Sequence, residues 1–175
     1  MFEDEKTKEW LRRYVKMFPK GNVLSISVIN RPNKRQSRAA EFIADELGAN
    51  LHSVQGSRDI CKEELIGTWE LDEEDKKVTW DKGTILKALE DANYRGESVL
   101  EIRDMHKIRP ECQLHLNSIL TDPYCITIPE RANERICLNE NSKLILVAEN
   151  TVELDRVIRM QEAVEDKMQI RLDNF

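Results

Sequence analysis

Residues 23–29, Val-Leu-Ser-Ile-Ser-Val-Ile, are a near-continuous apolar run of strand length. A strand with one wet face alternates apolar and polar residues. One that barely alternates is covered on both faces, which is the setting of a parallel sheet. A polar loop follows at 30–37. Next comes a predicted helix over about 38–47, with Ala39, Phe42, Ile43 and Leu47 on one side and Gly48 as its stop. Residues 51–54 read as another strand. This order predicts a βαβ unit with a right-handed crossover and a parallel pairing.

The pattern recurs twice. Residues 98–102 form a short apolar run with Val99 and Ile102 at β-favouring positions, broken by Arg103 and Asp104. Pro110 then sits where a helix would start, and Leu114, Leu116, Ile119 and Leu120 recur at helical spacing. Residues 143–148 are a third apolar run, with the polar tip Glu149-Asn150-Thr151, a predicted helix over about 152–160 and a final strand over 169–172. Strands alternating with helices predict a doubly wound α/β sandwich. Its polar strand tips fall on one sheet edge, where such folds place their ligands. Asp104 has two readings: a metal-binding or catalytic carboxylate, or the cap of a turn.

The other segments decorate this frame. Residues 4–17 predict a leading amphipathic helix packed on the core, with Trp10, Leu11, Tyr14, Val15 and Met17 as its apolar face. Residues 1–20 are therefore expected to precede a core spanning 21–175. Residues 58–67 hold an acidic helical turn, and residues 83–92 a helix with Ile85, Leu86 and Leu89 inward. Two hairpins are predicted. The first alternates on either side of Asp-Glu-Glu-Asp-Lys-Lys and is flanked by Trp69 and Trp80. Cross-strand packing accounts for Trp80. The second spans 125–138, around Glu130-Arg131-Ala132-Asn133.

The chain has 175 residues, which suits one domain, and a net charge of -6, which argues against a generic nucleic-acid binder. No apolar run reaches membrane-span length, and the acidic N-terminus lacks a signal peptide's apolar stretch. Cys61, Cys112, Cys125 and Cys137 are widely spaced, with no metal-binding pattern among them or with the histidines. Reduced thiols in a cytoplasmic protein are the expectation.

With its elements in this order, the chain resembles the AAA+ ATPases, in particular the branch containing the MoxR-like proteins, midasin and the dynein-related modules. The resemblance runs from about residue 21 to 175. Its most specific piece is Val78-Thr-Trp-Asp-Lys-Gly83-Thr-Ile-Leu-Lys-Ala-Leu89, similar to the family's Trp-Asp-Gly-x-Leu-x-x-Ala-Leu. Leu65-Ile66-Gly67, Pro110-Glu111, the Leu-Asn-Ser-Ile-Leu of 116–120 and Ile128-Pro-Glu130 also fit.

The resemblance implies a three-layer P-loop sandwich with a mainly parallel sheet and two hairpin insertions. It also implies ATP and magnesium as the family's ligands. The small helical lid that follows this core in the family is not expected in a chain that ends at Phe175. The phosphate-binding loop Gly-x-x-x-x-Gly-Lys-Ser/Thr falls on residues 30–37. Asn30, Asn33 and Arg35 stand at its glycine positions, Lys34 lies within it, Gln36 replaces the lysine, and Ser37 is kept. The following Asp-Glu motif falls on Arg103 and Asp104, so a cation stands where magnesium needs an anion. A shift of two residues would bring Glu101 there but break the spacing to Pro110. Asn150 matches the sensor asparagine. Lys167, in Asp166-Lys167-Met168, stands at the arginine-finger position without the planar fork.

Three readings follow. The leading one is a degenerate, non-hydrolysing AAA+ core serving as a structural or regulatory partner of other protein chains, in an AAA+ ring or beside an active AAA+ chain. No cofactor is assigned under it. The second is a divergent ATPase in which Asp104, Asn150 and Lys167 act on ATP, and Ser37 and Asp104 meet magnesium. The third is an anion site built from Arg31, Lys34, Arg35 and Arg38 at a helix N-terminus, set against a solvated basic turn.

Overall fold

The computed structural model describes residues 5–30, 38–151, 164 and 167–173. Arg31, Asn33, Lys34, Arg35, Gln36, Ser37 and Asp166, and the helix expected over 152–160, lie outside the described residues.

Five parallel strands make the central sheet: β1 (Asn22–Asn30), β2 (Asn50–Gln55), β5 (Glu97–Arg103), β8 (Lys143–Thr151) and β9 (Ile170–Asp173), in the order β2-β5-β8-β1-β9. The alternating sides of these strands feed two cores. On one face Leu24, Ile26, Val28, Val99, Ile145 and Val147 meet α1 (Glu5–Met17) and α2 (Ala39–Leu47). On the other Leu100, Ile102, Leu144, Leu146 and Ala148 meet α3 (Lys62–Leu65), α4 (Thr84–Arg95) and α5 (Pro110–Gln113). Helices on both faces of a parallel sheet make a three-layer α/β sandwich, and the run at 23–29 reads as it does because both of its faces are covered. The expected pairing within the first βαβ unit needs correction. β1 and β2 are parallel but not neighbours, because β5 and β8 lie between them.

The two hairpins are β3 (Gly67–Asp72) with β4 (Lys77–Lys82), and β6 (Cys125–Ile128) with β7 (Glu134–Cys137). Trp69 and Trp80 are directly opposite and meet edge to face, with ring centroids 5.3 Å apart, as expected of cross-strand packing. Gly83 explains the motif it belongs to. Its N–H donates to Ile66 O at 2.8 Å, and a Cβ there would lie 2.3 Å from the Leu65 carbonyl carbon. No other residue lets α4 start this close to α3.

Three further expectations are corrected. The helix starting at Pro110 is one α turn, followed by a 3-10 turn at Leu114–Leu116 and i→i+3 bonds such as Ile119 N–H to Leu116 O. The leucine spacing there suits tight turns as well as a helix. Cys125 and Cys137 are joined as a disulfide, because the β6–β7 register sets them directly opposite, whereas Cys61 and Cys112 are free thiols. On α1 only Leu11 and Val15 are fully buried, contributing about 1.5–3 kcal/mol each. Trp10 and Met17 stay 46% and 83% exposed, and Trp10 stacks on Tyr14. The end of α1 is instead clamped by Lys143, whose buried Nζ donates to Val15 O at 2.9 Å and lies 3.2 Å from Glu97 Oε1. No described helix is long and apolar enough to cross a membrane.

Candidate functional site

Parallel register brings the strand tips together. Ile29 is level with Asn150, Asn30 with Thr151, Ile102 with Ala148, and Gln55 with Arg103. Asn30, Asp104 and Asn150 therefore share the carboxyl edge of the sheet, as the sequence predicts. β1 is also where the strand order turns: β2 lies to one side of it and β9 to the other. That is where open α/β sheets bind ligands.

On the face of α2 the edge is closed by ions. β5 alternates so that Leu100 and Ile102 enter the core under α4, and Val99 the core under α2. Glu101 and Arg103 follow Val99 onto the α2 side. Glu101 is fully buried. Ser53 Oγ donates to its Oε2 at 2.5 Å, and Arg103 Nε pairs with the same oxygen at 2.9 Å. Arg103 also reaches Glu41 of α2 at 3.7 Å. Glu101, and after it Glu149 and Glu41, raise the Arg103 pKa against the opposing effect of burial. Asn30 Nδ2 donates to Glu149 Oε2 at 3.4 Å.

The other half of the edge is held by the loop after β5. Asp104 sits in the left-handed region, at φ 47° and ψ 44°, and its carbonyl accepts the Lys107 N–H at 2.8 Å. Its carboxylate accepts from Gln55 Nε2 and from Lys107 Nζ, both at 2.8 Å. Burial pushes this carboxyl up. The Lys107 bond and charge, with His106 and Gln55, outweigh that and hold it below the usual aspartate range. Asp104 thus stands at the start of the turn Met105–Lys107, with its carboxylate bonded to Lys107 and Gln55. Asn150 Oδ1 accepts the His106 N–H at 3.1 Å, and buried Gln113 donates to Met105 O at 3.2 Å and Ile108 O at 2.7 Å. Gly56 lets the chain after β2 pass over this loop. Its N–H donates to Arg103 O at 2.7 Å, and a Cβ would lie 2.4 Å from Asp104 O.

Lys167 does not join this edge. Its Nζ donates to Thr121 Oγ1 at 2.6 Å and Asn117 O at 3.5 Å, and its carbonyl accepts from Ser25 Oγ at 2.6 Å. Arg38 is exposed and lies 3.7 Å from Glu41. Sequence reasoning missed Ser53, Gln55, Lys107 and Gln113, which lie far apart in the chain. The available signal was a polar residue at or near the tip of a strand. Among the described residues one trio could offer metal ligands, Cys61, Glu63 and Glu64. The thiol there donates to both carboxylates, which push its pKa up to about 11.

Magnesium needs carboxylate oxygens, and a polyphosphate needs uncommitted cations. At this edge Glu101 faces Arg103 and Ser53, and Asp104 faces Lys107 and Gln55. The cations Arg103 and Lys107 are opposed by Glu41, Glu101, Glu149 and Asp104. Among the described residues, the edge carboxylates Glu101 and Asp104 are thus each paired with a cation.

The family model of the AAA domain, dynein-related subfamily, matches residues 35–168. Among solved structures, the chain is similar to the crystal structure of a Cytophaga hutchinsonii protein assigned as an ATPase, with a TM-score of 0.62 and 17% identity. That likeness covers 98% of this chain and 46% of the other, so the chain spans about half of that protein's length. No curated protein sequence matches the chain.

Proposed function

The chain belongs to the dynein-related AAA domain family, and from that premise we propose that it does not hydrolyse ATP and serves as a structural or regulatory protein-interaction module. One observation carries this reading: the Arg103–Glu101 ion pair at the tip of β5. Arg103 stands where the resemblance calls for the magnesium-supporting anion. It is paired with the fully buried carboxylate of Glu101, so recruiting Glu101 for magnesium would take away the nearest counter-charge of Arg103. The substitution of Gln36 for the loop lysine points the same way. Its partners on this reading are other protein chains, either in an AAA+ ring or as an active AAA+ chain, and the hairpins are its working surfaces.

Phosphate release from ATP with magnesium, measured on the purified chain, tests this. The expected rate is the no-protein background, and Gln36→Lys alone leaves it there because the magnesium side is unchanged. Clear turnover that disappears in Asp104→Ala would move the protein to the divergent-ATPase reading.

A further inference from the structure

The β3–β4 hairpin presents an apolar face whose outer half is exposed. Period-2 alternation puts Trp69 and Leu71 of β3, and Val78 and Trp80 of β4, on one side. The register stacks them as two cross-strand ranks, Trp69 with Trp80 and Leu71 with Val78. The inner rank is fixed from behind by the second hairpin. Trp69 Nε1 donates to Glu130 O at 3.1 Å, Arg131 lies 5.8 Å over the Trp80 ring, and Lys62 pairs with Glu130. The outer rank is bare: Leu71 is 58% exposed and Val78 60%, and Trp69 is still 48% exposed. Leu71 and Val78 stay mostly exposed although they are paired across the hairpin.

The charge beside this face selects an occupant. Asp72-Glu-Glu-Asp-Lys-Lys77 closes the hairpin with four carboxylates against two lysines, a net negative tip, and the Asp72 carboxylate accepts the Glu74 and Asp75 N–H groups at 2.9 and 3.2 Å. That bonding organises the turn and leaves Glu73, Glu74 and Asp75 exposed beyond Leu71 and Val78. An apolar strip ending in carboxylates complements a segment that carries apolar and basic side chains together. The same carboxylates repel a nucleic-acid backbone.

We propose that the Trp69–Leu71–Val78 face is a docking surface for a cationic, apolar-bearing segment of a partner protein. The proposal rests on the protein-interaction part of the function above and names the chemistry of the partner. The outer rank supplies apolar contact, the inner tryptophans a rigid floor, and the tip the electrostatic selection.

The test uses the full chain, no nucleotide, and fluorescein-labelled peptides read by anisotropy. A peptide of alternating Lys and Val is expected to bind. Peptides alternating Lys with Ser, or Glu with Val, bind weaker by about tenfold or more. Leu71→Ser with Val78→Ser, both at exposed positions, weakens the Lys-Val peptide by about tenfold or more. Glu73→Gln with Glu74→Gln and Asp75→Asn weakens it and flattens its salt dependence. Equal binding by the wild type and the Leu71/Val78 variant would overturn the proposal, as would equal binding of the Lys-Ser peptide. Self-association in sedimentation that is lost in the Leu71/Val78 variant would also overturn it, giving the face to a second copy. The outcome is separable from nucleotide chemistry. ATP turnover alongside selective peptide binding would sink non-hydrolysis and leave this surface standing, and the reverse pair of results would do the opposite.

Discussion

Glu101 is a carboxylate without solvent access, tolerated because Ser53 and Arg103 face it. Removing one partner of such a pair costs more than removing both. Breaking a fully buried pair costs roughly 3–5 kcal/mol, and the partial exposure of Arg103 lowers that. Arg103→Met is therefore expected to destabilise by about 2–3 kcal/mol in urea unfolding, and adding Glu101→Gln to recover most of the loss. A loss near zero in the single variant would mean that the pair does not close the edge. Asp104 acts in a known direction. Its folded pKa lies below the ordinary 3.8, so its stabilisation is present above that value and is lost as pH falls through the folded pKa. Asp104→Asn should flatten the acid limb of Tm against pH, and an unchanged slope would contradict the Lys107 and Gln55 contacts.

At the scale of elements, two contacts set how helices meet the sheet. Gly83→Ala drives a Cβ into the Leu65–Ile66 backbone and should cost about 1–3 kcal/mol or more in unfolding free energy, since backbone cannot repack. Lys143→Met removes the donor to Val15 O and should loosen the end of α1, read as faster amide exchange over residues 14–18 with the central strands unchanged. The strands were legible because runs such as 23–29 and 143–148 are covered on both faces, and the hairpins because they alternate. What lay beyond the sequence was long-range or degenerate. That β5 and β8 separate β1 from β2 follows from later segments choosing their neighbours. The Cys125–Cys137 contact needed the hairpin's register. Trp10 and Leu11 are adjacent in sequence, and only the position of α2 decides which is covered. The site was legible as strand tips, from Asn30, Asp104 and Asn150. Its partners Ser53, Gln55, Lys107 and Gln113 were not, because hydrogen bonds between distant loops leave no periodic trace.

At the scale of the whole molecule, the carboxyl edge and the hairpins have opposite characters. The edge is polar and internally paired at three places: Arg103 on Glu101, Lys107 on Asp104, and the His106 N–H on Asn150. The first hairpin is apolar and uncovered at Trp69, Leu71 and Val78. On the function proposed above, this pairing at the ligand edge and the open projecting surface belong to a chain that works on proteins and does not turn over nucleotide. Calorimetric titration of the purified chain with Mg-ATP tests this most directly. The ion-paired edge predicts no saturable heat at micromolar nucleotide. A micromolar Kd that weakens in Asp104→Ala would contradict the account.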